Sequence, residues 1–151
     1  MAKKKRTEEE EAIFSRLKAE EMQKPLSYVP HDTDAMMDDE IRMCVIENGI
    51  AIYGVWWCLV ELLAKRRSHR YDVTDELGWR FLAADMSAVG ETFTADQMKA
   101  FVQIFEDHNL LHIDREDDRL FLSNDRVIRT AIASAEKTAQ RRLGAALTNG
   151  R

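Results

Sequence analysis

The chain predicts a mainly α-helical domain of the α+β class, on three observations. Apolar residues recur at helical spacing through most of residues 34–108 and again after residue 124; the only two prolines, Pro25 and Pro30, stand before that pattern begins; and one stretch, residues 111–123, alternates with the period of strands. With 151 residues, 45% apolar and 32% charged, the composition suits one soluble domain with tails. A domain of this length buries roughly 70% of its unfolded surface, enough for a real core.

Residues 1–26 read as a charged extension, flexible or helical. A basic tip (Lys3, Lys4, Lys5, Arg6) precedes four acids, Glu8 to Glu11, and a weak helical pattern of Ile13, Phe14 and Leu17. Such charge blocks are commonly solvated tails or fraying helices; an arm docking on a second subunit is the alternative. The folded body, residues 27–123, starts as an extended segment, because proline keeps the residue before it out of helical dihedrals. Asp34 or Asp38 caps a first helix that runs to about Asn48, where Gly49 supplies a left-handed stop. A second helix, about 50–67, puts Tyr53, Trp56, Trp57, Val60 and Leu63 on one face and Ile52, Val55, Leu59 and Leu62 on another. Apolar on most sides, it must be central. Its last residues, Lys65, Arg66 and Arg67, suit the negative end of the helix dipole.

Residues 71–73 make a short strand. Thr74 or Asp75 then caps a third helix, with Leu77, Phe81, Leu82 and Met86 predicted to face inward. Thr94 and Gln97 have the spacing of a capping box, and Met98, Phe101, Val102 and Phe105 after them fall at i, i+3, i+4, i+7. In residues 111–123, Leu111 and Ile113, then Leu120 and Leu122, flank the polar stretch 114–119, which predicts a β-hairpin. Helix, helix, short strand, helix, helix, hairpin is the order of a winged helix-turn-helix, with the hairpin as its wing. An amphipathic basic helix over 124–147 and a short tail, 148–151, complete the chain.

Little here suggests catalysis. No Gly-rich phosphate loop, GxSxG or HExxH occurs. His31, Asp32 and Asp34 have the chemistry of metal ligands, but no second ligand group follows at helical spacing, and acids before a helix are explained by capping. We therefore expect no metal, cofactor or small-molecule substrate. Cys44 and Cys58 lie within apolar helical patterns and form no CxxC pair, so they read as buried free thiols in a reducing cytoplasm. The longest apolar run, residues 50–64, contains Glu61 and falls short of the roughly 20 residues a bilayer span needs.

Charge is uneven. The net is -5, yet residues 71–125 carry 13 acids against 4 bases while residues 126–151 carry 6 bases against 1 acid. The outward positions of the helix after Thr94 (Asp96, Lys99, Gln103, Glu106, Asp107) would repel phosphate, and so would the hairpin loop. In the last helix, by contrast, Arg126, Arg129, Lys137 and Arg141 fall within about 120° of the circumference at ~100° per residue, with Val127, Ile128, Ala131, Ile132 and Ala135 opposite. That basic stripe is the predicted phosphate contact; a plain solvated face is the alternative. Arg142, Lys65, Arg66 and Arg67 join the candidate set. Trp56 and Trp57, adjacent on a helix among aliphatics, read chiefly as core, with Tyr53 and one indole ring candidates for an interface.

The segment from Tyr28 to Leu63 carries a resemblance. Tyr28, Pro30, His31 and Asp32, then Asp38 and Ile41, then Gly49, Tyr53, Gly54, Trp57, Leu59, Glu61 and Leu63 resemble the N-terminal winged-helix domain of DnaD-like phage replisome organisers and replication initiators. The likeness extends over about residues 27–142 and rests on hydrophobic spacing more than on a polar set. It implies a non-enzymatic replication-initiation module that binds DNA non-specifically, self-associates, and contacts replication proteins such as a helicase loader. It also implies a further C-terminal region in longer relatives. A protein-interaction or dimerisation module without nucleic-acid binding, or a winged-helix transcription regulator, are the rival expectations.

Overall fold

A computed structural model describes residues 4–31, 35–87 and 90–150; Lys3, Asp32 and Asp34 lie outside that set. Helix α1 spans Glu8–Met22. Thr7 and Glu10 close a reciprocal capping box at its start: the Glu10 N–H donates to Thr7 Oγ1 at 3.2 Å and the Thr7 N–H to Glu10 Oε2 at 2.9 Å. Rather than fraying, α1 lies along the last helix of its own chain. Phe14 and Leu17 are buried there with Ala139 and Leu143.

After a 3₁₀ turn at Ala35–Met37, α2 runs Asp39–Asn48, capped by Asp38, whose carboxylate accepts from the N–H groups of Glu40 and Ile41. Gly49 ends it at φ 87°, ψ 164°. The sign of φ is the one expected, but the ψ is extended rather than left-handed helical, a region open essentially to glycine alone. Helix α3, Ala51–Lys65, is the centre of the molecule. Its buried stripe is Ile52, Trp56, Leu59, Val60, Leu63 and Ala64, of which Leu59, Val60 and Leu63 are fully enclosed. Each of these side chains contributes roughly 1.5–3 kcal/mol on burial.

Strand β1, Tyr71–Asp72, leads into α4, Glu76–Ser87, where Asp75 Oδ1 accepts from the Gly78 N–H. The inward residues of α4 are Leu82, Ala83 and Met86, whereas Leu77 and Phe81 are 54% and 57% exposed. At ~100° per residue those two sit 140–180° from the centre of the buried stripe, so they belong outside. Helix α5, Ala95–Asp107, carries the predicted capping box and buries Met98, Val102 and Phe105. Strands β2, His112–Glu116, and β3, Arg119–Ser123, pair from His112 opposite Ser123 to Glu116 opposite Arg119. The turn is thus only Asp117 and Asp118, tighter than the polar stretch 114–119 suggested. Strand β1 adds to β3 through Tyr71 opposite Leu122, making a three-stranded antiparallel sheet of order β1-β3-β2.

Helix α6, Asp125–Asn149, closes the chain. Asn124 anchors it: its side-chain oxygen accepts from the Val127 N–H at 3.0 Å and its amide donates to the Leu110 carbonyl at 2.8 Å, both buried. The fold is mainly helical with a small sheet and is winged-helix-like. Among the described residues no helix is long and apolar enough to cross a membrane.

Candidate nucleic-acid interface

The apolar side of α6 faces inward along its whole length, with Val127, Ala131, Ala135, Ala139 and Leu143 all buried. Small residues at three of those positions let neighbouring backbone approach closely. The opposite side therefore stands out from the core, and it carries the basic stripe. Arg126, Arg129, Lys137 and Arg141 line one groove of about 710 Å³, whose other wall is the extended segment Pro25, Leu26, Ser27, Tyr28 and Pro30. The Leu26 N–H donates to the Ala64 carbonyl at 2.9 Å, pinning that segment to the end of α3. Tyr28 is 71% exposed at the groove's rim.

The four cations are not equivalent. Arg126 donates to the Pro30 carbonyl at 3.2 Å and its guanidinium lies 5.7 Å from the Trp57 ring, so it partly ties the two walls together. Arg129 reaches back only to the Asp125 carbonyl, at 3.4 Å. Among the described residues Arg129, Lys137 and Arg141 enter no ion pair, which leaves their charge to the groove. Near Arg126 and Arg129 the surface turns acidic, with Asp38, Glu40 and Asp125 bordering both arginines.

The remaining sequence candidates go elsewhere. Arg142 is ~160° around the helix from Arg126, on the side facing α1, where it donates to Glu20 at 2.9 Å and Glu21 at 2.8 Å. Its hydrogen bonds to Glu20 and then Glu21 raise its pKa, while Lys24 first and then Arg142 hold the Glu21 carboxyl below its usual range. Arg142 is thus a structural cation and leaves the phosphate set. Lys65, Arg66 and Arg67 sit where α3 ends and do not border this groove; Arg66 instead covers the Tyr71 ring at 4.3 Å. Trp56 is buried and donates its indole N–H to the Leu110 carbonyl at 3.3 Å, which removes it from any surface. Trp57 is half-buried beneath His31, whose ring stacks on it at 3.9 Å, and His31 Nε2 lies 3.0 Å from the Tyr53 hydroxyl. Those three rings form a small aromatic stack on the outer side of α3.

Three cations of the body are held in ion pairs. Lys99 on α5 pairs with Glu76 of α4, Arg119 with Asp72, and Arg70 with Glu116. Thr74, by hydroxyl and amide, and then Arg119 hold the Asp72 carboxyl down to about 2. On α5 and in the β2–β3 hairpin acids outnumber bases, with Asp96, Glu106 and Asp107 against Lys99, and Asp114, Glu116, Asp117 and Asp118 against Arg115 and Arg119. A second groove, of about 580 Å³, lies between β1 and α4 and is lined by Asp72, Asp75 and Asp85, by Arg66 and Arg119, and by the exposed Leu77 and Phe81.

Tyr28, which the sequence marks only as part of a family-like segment, is a groove wall and was not among the sequence candidates for the site. The basic tip, one of the segments to which the charge distribution assigns any polyanion contact, is brought beside the groove by the docking of α1: Lys137 borders both the first groove and a neighbouring hollow lined by Lys4, Lys5 and Arg6. The signal was the Thr7 and Glu10 capping box, which marks a true helix start. Among the described residues no group of His, Cys, Asp and Glu could hold a metal ion; Asp32 and Asp34 of the His31 trio lie outside them. Cys44 is buried and Cys58 half-buried, both unpaired, and burial pushes both thiols up.

The model of one family, described as Lin1244/Lin1753-like, N-terminal, matches residues 28–125. The match covers the winged body and stops at the first residue of α6. No curated protein and no solved structure matches the chain.

Proposed function

From its membership of the Lin1244/Lin1753-like N-terminal family, found in phage and prophage proteins, we propose that this chain is a non-enzymatic replication-initiation or replisome-organising module of the DnaD-like kind. It binds DNA through phosphates and contacts replication proteins such as a helicase loader. The observation that carries the reading is the groove on α6, where Arg129, Lys137 and Arg141 keep their charge unpaired among the described residues while Lys99 and Arg119 of the winged body do not. A concave basic surface focuses its field on a polyanion, and contacts of this type neutralise phosphates without reading bases.

The test is titration of the purified chain with single- and double-stranded DNA at two salt concentrations. About three neutralised phosphates correspond to a log–log salt slope of roughly −2 to −3. The triple change Arg129→Glu, Lys137→Glu, Arg141→Glu is expected to abolish retardation, and Lys99→Glu to change little. Damage from the Lys99 change instead would move the surface to α5.

One observation favours a second reading, a protein-interaction or dimerisation module. Leu77 and Phe81 stand exposed beside the groove between β1 and α4, an apolar pair of the type that partners cover. Absence of DNA binding even at low salt would favour it.

A further inference from the structure

Resting on that reading of the α6 groove, we infer that its ligand is a single-stranded polynucleotide, with Tyr28 stacking on a base while α6 holds the backbone. The 25–30 segment walls the groove on one side, and α1 packs only against the distal part of α6, at Ala139 and Leu143, while Arg129, Lys137 and Arg141 stand exposed along the helix. An open strip of cations holds the backbone of a duplex or of a single strand alike; the exposed aromatic ring beside it adds a contact that only an unpaired base can make.

Tyr28 supplies what a single strand offers and a duplex hides, the open face of a base. Its ring is 71% exposed at the rim. Pro25 and Pro30 restrict the backbone on either side, so the ring is presented at little entropic cost. Aromatic stacking beside a positively charged groove is a sequence-tolerant way to hold single strands.

The charges also give the track two ends. From Arg126 to Arg141 the helix rises about 22 Å at ~1.5 Å per residue, the length of roughly six or seven stacked nucleotides. Beyond Lys137 the surface continues onto Lys4 and Lys5, whereas at Arg126 it meets Asp38, Glu40 and Asp125. A strand is repelled at the acidic end and drawn out over the amino-terminal lysines.

The experiment compares the full chain and its Tyr28→Ala and Tyr28→Phe variants, each titrated at low salt with oligo-dT and oligo-rU of about 15 nucleotides and with a duplex of equal length. Wild type is expected to bind the single strands more tightly than the duplex, Tyr28→Ala to weaken single-strand binding about 5- to 100-fold, and Tyr28→Phe to restore it. An added oligo-dU, which shares its base with oligo-rU, separates the contribution of the sugar from that of the thymine methyl. Tyr28 is exposed, so the melting curve of each variant should match wild type. Duplex preference, or unchanged single-strand binding by Tyr28→Ala, overturns this inference while leaving phosphate binding intact. Failure of every one of these nucleic acids to bind overturns the parent reading and this one with it.

Discussion

Replacing Phe14 by Ala should detach α1 from the molecule without unfolding the winged body. Phe14 is 8% exposed and packs with Leu17, Ala139 and Leu143 in a cluster separate from the main core. Losing the ring forfeits roughly 1.5–3 kcal/mol of burial. The Arg6 guanidinium, 3.5 Å above that ring, adds about 0.5 kcal/mol that is also lost. The other polar links across this interface are Lys18 with Glu136, Arg142 with Glu20 and with Glu21, and Arg6 with Gln140; all but the Glu21 carboxylate are largely solvent-exposed, and such pairs are weak by comparison. A loss of about 2–3.5 kcal/mol is a factor of about 30 to 300 in the docking equilibrium. Native-state hydrogen exchange reads it directly: amides of α1 and of the second half of α6 should exchange faster by that factor, while those around Leu59 and Leu63 in α3 keep their protection. Equal acceleration in α3 would refute the reasoning, because α1 and the winged body would then open as one unit. Unchanged exchange in α1 would show that the small cluster does not hold it.

Two further outcomes follow from the packing. A Cβ at Gly78 would lie 2.6 Å from the Asp72 carbonyl oxygen and 3.1 Å from the Val73 Cα. Both are backbone and cannot rotate away, so Gly78→Ala should cost about 1–3 kcal/mol despite its better helix propensity, seen as a lower denaturant midpoint at unchanged slope; a raised midpoint would show that β1 and α4 can separate freely. His69 is 1% exposed at φ 58°, and burial lowers its pKa below the ordinary 6.5, a shift that the Lys24 carbonyl, not aligned for a full hydrogen bond, only partly offsets. A depressed imidazole favours the neutral form in the folded state, so its contribution is present above pH 6.5 and is lost as pH falls through the lowered folded value. His69→Asn, which tolerates positive φ, should flatten the stability-against-pH curve on that acid side in chemical denaturation, and an unchanged curve would assign the dependence to other groups.

Much of the architecture could be read from local pattern because its causes are local. The capping box at Thr94, the i, i+3, i+4, i+7 spacing of Met98 to Phe105 and the alternation around Leu120 and Leu122 each depend on neighbours within a few residues. The same holds for the basic stripe, since angular position on one helix is a property of sequence spacing. Arg142 shows where that reasoning stopped short: it counts as basic in the sequence but lies on the side facing α1, and only the arrival of α1 supplied the carboxylates that hold it.

By itself, then, the sequence determined the helices of residues 35–149, the hairpin, the central role of α3 and the arc of positive charge on α6, whereas α1 it left open between a flexible and a helical arm. Tertiary structure alone decided which charges stay available. Ion pairing depends on partners tens of residues away, as Lys99 with Glu76 and Arg119 with Asp72 show, and a groove exists only where two distant segments form its walls. Periodicity reports which way a side chain points from its own helix; it holds no information about what the rest of the chain brings to meet it.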